Sequence, residues 1–329
     1  MLSIIIPSRV ETYLQRTVDD LLLNARGEVE IIVILDGYWP SPMLKDDKRV
    51  IVLHQGTVHN SYGMREAINA GIAISKGEFI MKIDEHCLVD EGFDLKLAAD
   101  CEEDWVVIPR RYRLDADNWK VIEDGRPPID YMLVDFPYQR PHDKTCGLHG
   151  AEDRQRHYDR LDILIDDVMT MQGSCYYTRR SYWNKLFPNG MNGGSYGPFT
   201  QEAQEISMAA WLSGGRVVVN KKTFYAHFHK GSTGKGYGFS TEQYKKHAEW
   251  NEKGRLYCME HWLNTQNYLH DFEWLIKKFW PLKGWKDTWK EDIIEGKKTD
   301  FSTLKYENDF WLSNLREEVL KKEEEDKTK

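Results

Sequence analysis

An acid, a second acid and an imidazole stand together at Asp84-Glu85-His86, directly after the apolar run Phe79-Ile80-Met81-Lys82-Ile83. On a continuing strand, residues two apart face the same side, which places the Asp84 carboxylate beside the His86 imidazole. A carboxylate and a neutral imidazole suit a borderline divalent cation such as manganese, with positions left open for phosphate oxygens. The plain alternative is a polar strand-to-loop junction with a satisfied histidine, and Asp-x-His alone does not choose between them. A second acid, Asp36, closes another apolar run, Ile31-Ile32-Val33-Ile34-Leu35.

The elements that must carry these residues follow from periodicity. Residues 2–6 are an isoleucine-rich run ending at Pro7-Ser8-Arg9, and 30–35 and 49–53 are further apolar runs. Between them, Leu14, Val18, Leu21 and Leu22 recur at helical spacing in 12–23, as do Met64, Ala67, Ile68, Gly71 and Ile72 in 61–74. Alternation of this kind predicts right-handed βαβ units and a parallel sheet. Asp36 and Asp84 then lie along one carboxyl edge, where open α/β sheets bind ligands, and an acid after the second strand is well placed to hydrogen-bond a ribose or base. No G-x-G-x-x-G follows the first strand and no G-x-x-x-x-G-K-[ST] occurs, which weakens dinucleotide and P-loop readings.

The chain's 329 residues suffice for one large domain or two smaller ones. A formal charge of −8 argues against a global nucleic-acid footprint. Five cysteines without a C-x-x-C pair argue against a disulfide framework or a structural zinc site. With no signal peptide and no apolar run long enough for a bilayer, the expected location is a reducing cytoplasm, without membrane partners.

Several blocks in order resemble family 2 glycosyltransferases of the GT-A fold: Ser3-Ile4-Ile5-Ile6-Pro7, the Asp36 strand end, residues 64–78, and Ile83-Asp84-Glu85-His86. The Asp-x-His form, with Cys87 after it, is similar to the polypeptide N-acetylgalactosaminyltransferases, as is Leu14-Gln15-Arg16-Thr17-Val18. Residues 169–183 resemble that group's acceptor-side strand and turn. Residues 201–215 resemble its Gly-Glu-Asn-x-Glu helix, and Phe224-Tyr225-Ala226-His227 the strand that supplies a distal histidine. The resemblance spans roughly residues 2–230. It implies an α/β GT-A (Rossmann-like) fold: a mixed, mainly parallel sheet flanked by helices, with a helical, Trp-rich C-terminal extension. The implied division is a catalytic domain over 1–235 (nucleotide-binding half 1–100, acceptor half 101–235), then an extension over 236–329 with a disordered charged tail.

It also implies a site. Asp84, His86 and His227 would hold Mn2+ (or Mg2+), with His229 the alternative distal ligand. Pro7, Arg9, Glu11, Asp36, Arg65, Lys82, Asp84, Glu85, Gln172, Gly173 and Trp211 would contact a nucleotide-sugar, a UDP-sugar by analogy. Glu202 would orient donor sugar or acceptor hydroxyl; Glu205 would do the same or fix its helix. Inverting members carry a Glu-Asp pair at this helix, the Asp being their general base; here Ala203 follows Glu202, and an alanine cannot take a proton. That departure implies retention. Ala209 replaces a usual arginine.

The remaining segments are less specific. Arg110, Arg111 and Arg113 follow an apolar strand and are candidates for binding phosphate or for a solvated loop. Residues 142–167 are charged and expected as an exposed insertion, 189–198 as a mobile Gly-rich loop, and 230–238 as a lid or a simple linker. Helices are expected over 244–268 and 271–279. Seven of the twelve tryptophans fall between 250 and 311, an aromatic stripe that reads as helix-on-core packing before an acceptor platform. The acceptor is left among a saccharide, a protein and a hydroxymethylated base in viral DNA, the last implying a viral protein in a host cytoplasm. Arg110–Arg113, Arg179-Arg180 and 230–246 would engage DNA phosphates. A nucleotidyltransferase or a non-catalytic nucleotide-sugar-binding protein is the alternative of another class.

Overall fold

The computed structural model describes residues 1–9, 12–137, 147–230 and 241–293, the last without the side chains of 241–247. Strands β1 (Leu2–Ser8) and β2 (Val29–Asp36) are buried at every position, which is why both read as continuous apolar runs rather than alternating ones. With β3 (Val50–Gln55) and β4 (Phe79–Ile83) they form a parallel array in the order β3-β2-β1-β4. Helix α1 (Leu14–Asn24) buries Leu14, Thr17, Val18 and Leu21, and α2 (Met64–Ile74) buries Ala67, Ile68, Gly71 and Ile72. Gly71 has a packing reason: a Cβ there would meet Ile5 at 2.7 Å and Ile34 at 2.8 Å, so the helix lies directly on the sheet.

The second half extends the same sheet to ten strands. Past β4 come antiparallel β11 (Cys175–Arg179), then β6 (Trp105–Asp115), β12 (Arg216–His227) and edge strand β10 (Ile165–Asp167), with β5 (Cys87–Val89) on β12 and β7 (Lys120–Val121) on β6. The expected mixed α/β sheet flanked by helices is therefore observed. Residues 147–167 are not a simple exposed insertion: β9 (Gly150–Glu152) pairs with β8 (Met132–Val134), α4 (Arg154–Asp159) follows, and β10 joins the main sheet. Charge misled there because the charged residues pair with one another; Asp130, fully buried as a side chain, accepts from Arg110 at 2.7 Å and lies 2.9 Å from His157 Nδ1.

The remaining helices are α3 (Phe93–Ala99), α5 (Arg180–Leu186), α6 (Gly193–Tyr196), α7 (Glu202–Leu212), α8 (Thr241–Asn264) and α9 (Phe272–Phe279). Helix α7 is buried along its whole length, and α8 and α9 pack on it. Trp262 of α8 is 2% exposed and donates to Tyr196 Oη at 2.9 Å. One compact unit runs from Met1 to Gly284, taking in α8 and α9; the expected division at 235 lies outside the described residues. A second unit begins at Trp285, where the Trp285 and Trp289 rings meet edge to face; the charged tail lies outside the described residues. Among the described residues, no helix is long and apolar enough to cross a membrane.

Candidate active site

Strand β4 stops at Ile83, so Asp84, Glu85 and His86 form a bend rather than the continuing strand expected from the sequence. What gathers the ligand atoms is register. β5 runs antiparallel to β12 with Cys87 opposite His227, which carries His227 to the neighbour of Cys87, His86. His86 Nε2 lies 3.1 Å from His227 Nε2, and His227 Nε2 lies 3.2 Å from Asp84 Oδ2. One ligand atom from each of the three residues falls within 4.8 Å of the others. His229 sits beside them, its ring 4.9 Å from that of His227, but is not in this trio.

The donor set fits a divalent cation. Burial pushes the His227 pKa down to about 3 against the pull of Asp84, so its imidazole is neutral at ordinary pH. Burial alone would raise Asp84, but the Lys82 ammonium and the His227 hydrogen bond outweigh it and hold the carboxyl below its usual range. A carboxylate oxygen and two imidazole nitrogens thus point lone pairs at one small volume, an arrangement a metal ion satisfies.

Lys82 lies underneath. Its side chain is 1% exposed and donates to Asp84 Oδ1 at 2.6 Å and to the Gly173 carbonyl at 2.5 Å, with Glu202 Oε2 at 3.8 Å. Burial alone would lower its pKa; the charges of Asp84 and Glu202 overcome this and raise it. Because Lys82 takes Oδ1, only Oδ2 of Asp84 is turned toward the histidines. Glu202 also accepts from Tyr176 Oη at 3.0 Å, while burial raises its pKa. Gly173 is required by close approach, since a Cβ would stand 2.9 Å from Glu202 Oε2.

These residues form the floor of a cavity of about 650 Å³. Pro7, Arg9, Asp36, Lys82, Asp84, Glu85, His86, Gln172, Gly173, Glu202, His227 and His229 all line it. Asp36 is clasped by the protein, accepting from Ser61 Oγ and from the backbone N–H groups of Tyr62 at 3.0 Å and Gly63 at 3.1 Å. The Arg9 guanidinium donates to the Asp36 carbonyl at 2.7 Å, and Glu85 accepts from the Arg9 N–H at 2.9 Å.

Three expected residues stand behind the wall instead. Arg65 is fully buried, paired with Glu205, donates to the Thr200 carbonyl at 2.8 Å and lies 4.4 Å from the Tyr196 ring centre. It therefore ties α2 to α7 and α6, and Glu205 serves as its counter-charge. Trp211 is 1% exposed and donates to the Val168 carbonyl at 3.1 Å. Glu11 lies outside the described residues, as do 231–240 of the glycine loop. Nor do the expected phosphate-binding arginines line the cavity. Arg110 is held by Asp130, Arg113 by the Pro127 carbonyl, and Arg111 is buried. Arg179 pairs in register with Phe79, the start of β4, at the far sheet edge from Asp84. The sequence reading did not single out Ser61, Gly63, Met132, Met171, Phe199, Gln201, Gln204, Ala248 and Asn251, which also line the cavity. Adjacency to Glu202 was a signal for Phe199, Gln201 and Gln204, and Met171 lies in the 169–183 block; the other five carry no motif.

Fold and site together define a Rossmann-like α/β protein with a candidate divalent-metal centre at the carboxyl edge of its sheet. The chain belongs to glycosyl transferase family 2, whose family model matches residues 3–187. It is 31% identical over 99 residues to the glycosyltransferase GlyG of Streptococcus pneumoniae serotype 4 (strain ATCC BAA-334 / TIGR4), a match covering 28% of this chain and 32% of GlyG. Among solved structures it is similar to GalNAc-T7 with UDP, GalNAc and Mn2+, at TM-score 0.51 and 17% identity over 70% of this chain and 43% of that one. It also matches residues 1–349 of S. aureus TarS, at TM-score 0.43 and 16% identity over 69% of this chain and 60% of that one. The chain thus spans about a third of GlyG and less than half of GalNAc-T7.

Proposed function

We propose that this chain transfers a sugar from a UDP-sugar to a hydroxyl acceptor, with a divalent metal and with retention of configuration. The observation that carries the reading is the convergence of Asp84, His86 and His227 on the floor of the cavity, within a family 2 fold. GalNAc-T7, of similar fold, was solved with UDP and Mn2+.

Asp84 Oδ2 and the two histidine Nε2 atoms would hold Mn2+ or Mg2+, which supplies neutralisation of the diphosphate leaving group. Pro7, Arg9, Asp36 and Glu85 would form the nucleoside side of the donor site. Lys82 holds Asp84 in place and presents one carboxylate oxygen rather than two. Glu202, buried between Lys82 and Tyr176, would orient the donor sugar or the attacking hydroxyl. Ala203 lines the cavity and offers no proton acceptor, which supports retention with the leaving phosphate accepting the proton.

Incubating the full chain with UDP-, GDP- and TDP-sugars, with Mn2+, Mg2+ or chelator, tests the reading. Release of UDP, lost on chelation and restored by metal, is expected, and NMR of the product should show the donor's anomeric configuration kept. Pyrophosphate release, or turnover insensitive to chelation, would overturn it.

A further inference from the structure

Imidazoles that hold a metal are ordinarily aimed by a second hydrogen bond, the nitrogen away from the ion donating to a carboxylate or a carbonyl. His227 has no such guide. With Nε2 turned to Asp84 and His86, its Nδ1 is buried and without a hydrogen-bond partner. A buried ring that no second hydrogen bond orients is held by what packs on it.

Other rings do the packing. The His227 ring meets that of His229 at right angles, with centres 4.9 Å apart, and the His86 ring is 4.8 Å from it. The Phe228 ring stands nearly perpendicular to His86 at 6.2 Å. Phe228 leans in turn on Tyr13, the residue preceding α1, at 5.4 Å. All four separations fall in the range of roughly 4.5–7 Å over which aromatic edges and faces attract.

Behind these rings is a small apolar cluster, apart from the larger one around β1, β2 and β4. Tyr13, Leu88, Leu114 and Ala226 are buried in it, and Trp119 and Phe228 pack against it. Tyr13 Oη donates to Asp117 at 2.9 Å and Trp119 Nε1 to Asp20 at 3.2 Å, which ties the cluster to α1. The ligand backbone is pinned beside it. The Phe228 N–H donates to the His86 carbonyl at 3.1 Å. Thr17 Oγ1 donates to the Glu85 carbonyl at 3.0 Å and accepts from the Cys87 N–H at 3.1 Å.

We propose that Phe228 and His229 are positioning residues, which aim the imidazoles of His86 and His227 by ring packing. His229 acts through its shape and is not a ligand. This role rests on the divalent-metal reading above, and it makes the ring of His229 matter while its nitrogens do not.

The test is a titration of Mn2+ into the full chain, with and without UDP, following the free ion by electron paramagnetic resonance against UDP alone. His229→Ala and Phe228→Leu should each weaken Mn2+ binding about tenfold, as changes beside metal ligands do. His229→Phe should stay near the parent. Thermal melts with chelator should show all three folded, since both side chains are only partly buried. Equal losses in His229→Ala and His229→Phe would make His229 a ligand or a hydrogen-bonding group and overturn the assignment. So would unchanged binding in His229→Ala or in a folded Phe228→Leu. The His229 pair decides the question even where Phe228→Leu unfolds. A parent chain that leaves all Mn2+ free would instead sink the metal reading, and this role with it.

Discussion

Asp36 and Glu85, where the cavity meets β1 and β2, are already clasped by the protein's own donors, whereas Gln172 and Asn251, elsewhere in its lining, keep buried carboxamide oxygens without partners. The first side is organised before any ligand arrives, because its carboxylates shape the loop at 61–63 and the turn after β1. The second keeps two buried acceptor oxygens unsatisfied by side chain or backbone. Preorganisation lowers the entropic cost of binding, and an unfinished wall is a place where specificity can be set. The candidate metal trio lies between these regimes: Asp84 is locked by Lys82, while its ligand atom and those of His86 and His227 fall within 4.8 Å of one another.

Breaking the framework should be costlier than breaking the site. Removing one partner of a buried ion pair typically costs about 3–5 kcal/mol. Arg65→Met, which strands Glu205, should therefore lower unfolding free energy by about that much in urea titration, without direct loss of a donor contact. An unchanged midpoint would show that the Arg65 network does not hold α2 to α7. Asp84→Ala comes next: loss of a ligand should cut metal affinity and turnover by about a hundredfold or more, measured by Mn2+ titration and UDP release. Full activity in that variant would remove the metal centre from the mechanism.

Acid should loosen the metal-free chain in a defined window. His227 titrates near 6.5 when unfolded and at about 3 in the fold, because burial opposes its charge. Between those values the unfolded chain binds a proton that the folded chain refuses, so stability rises with pH there. It is complete above about 6.5 and falls as pH drops toward 3. In His227→Gln this part of the dependence should flatten in thermal melts recorded with chelator. The smallest effect is expected at Ser61→Ala, which removes one of the hydrogen bonds to Asp36. About 1 kcal/mol of stability and a modest rise in donor KM would sharpen the contrast between the two walls; a change in acceptor KM alone would blur it.

Much of this arrangement is legible in the residues themselves. β1 and β2 are apolar runs because both of their faces are covered, and Asp36 and Asp84 fall on one edge because β2 and β4 both run parallel to the β1 between them. The ordered blocks up to His227 placed a distal histidine with the Asp-x-His bend. What pattern reading missed depends on tertiary burial. A polar residue in a motif looks alike whether it lines a cavity or braces the wall behind it, and Arg65, Glu205 and Trp211 do the latter. Residues 147–167 looked like a solvated insertion because ion pairs such as Arg160 with Asp166 are invisible until the chain folds. Asn251 reaches the cavity only through the docking of α8, far from any recognisable block.

The pairing of β5 with β12 also bears on how the chain is made. Asp84 and His227 touch across a separation of 143 residues, and nothing local brings them together. Contacts this distant form late, since the loop between them must be closed first. On a ribosome, a nascent chain that has emerged only through β5 would display Asp84 and His86 without their third partner. The candidate centre thus becomes a mark of maturity: Asp84, His86 and His227 meet only once β12 has been laid down in the sheet.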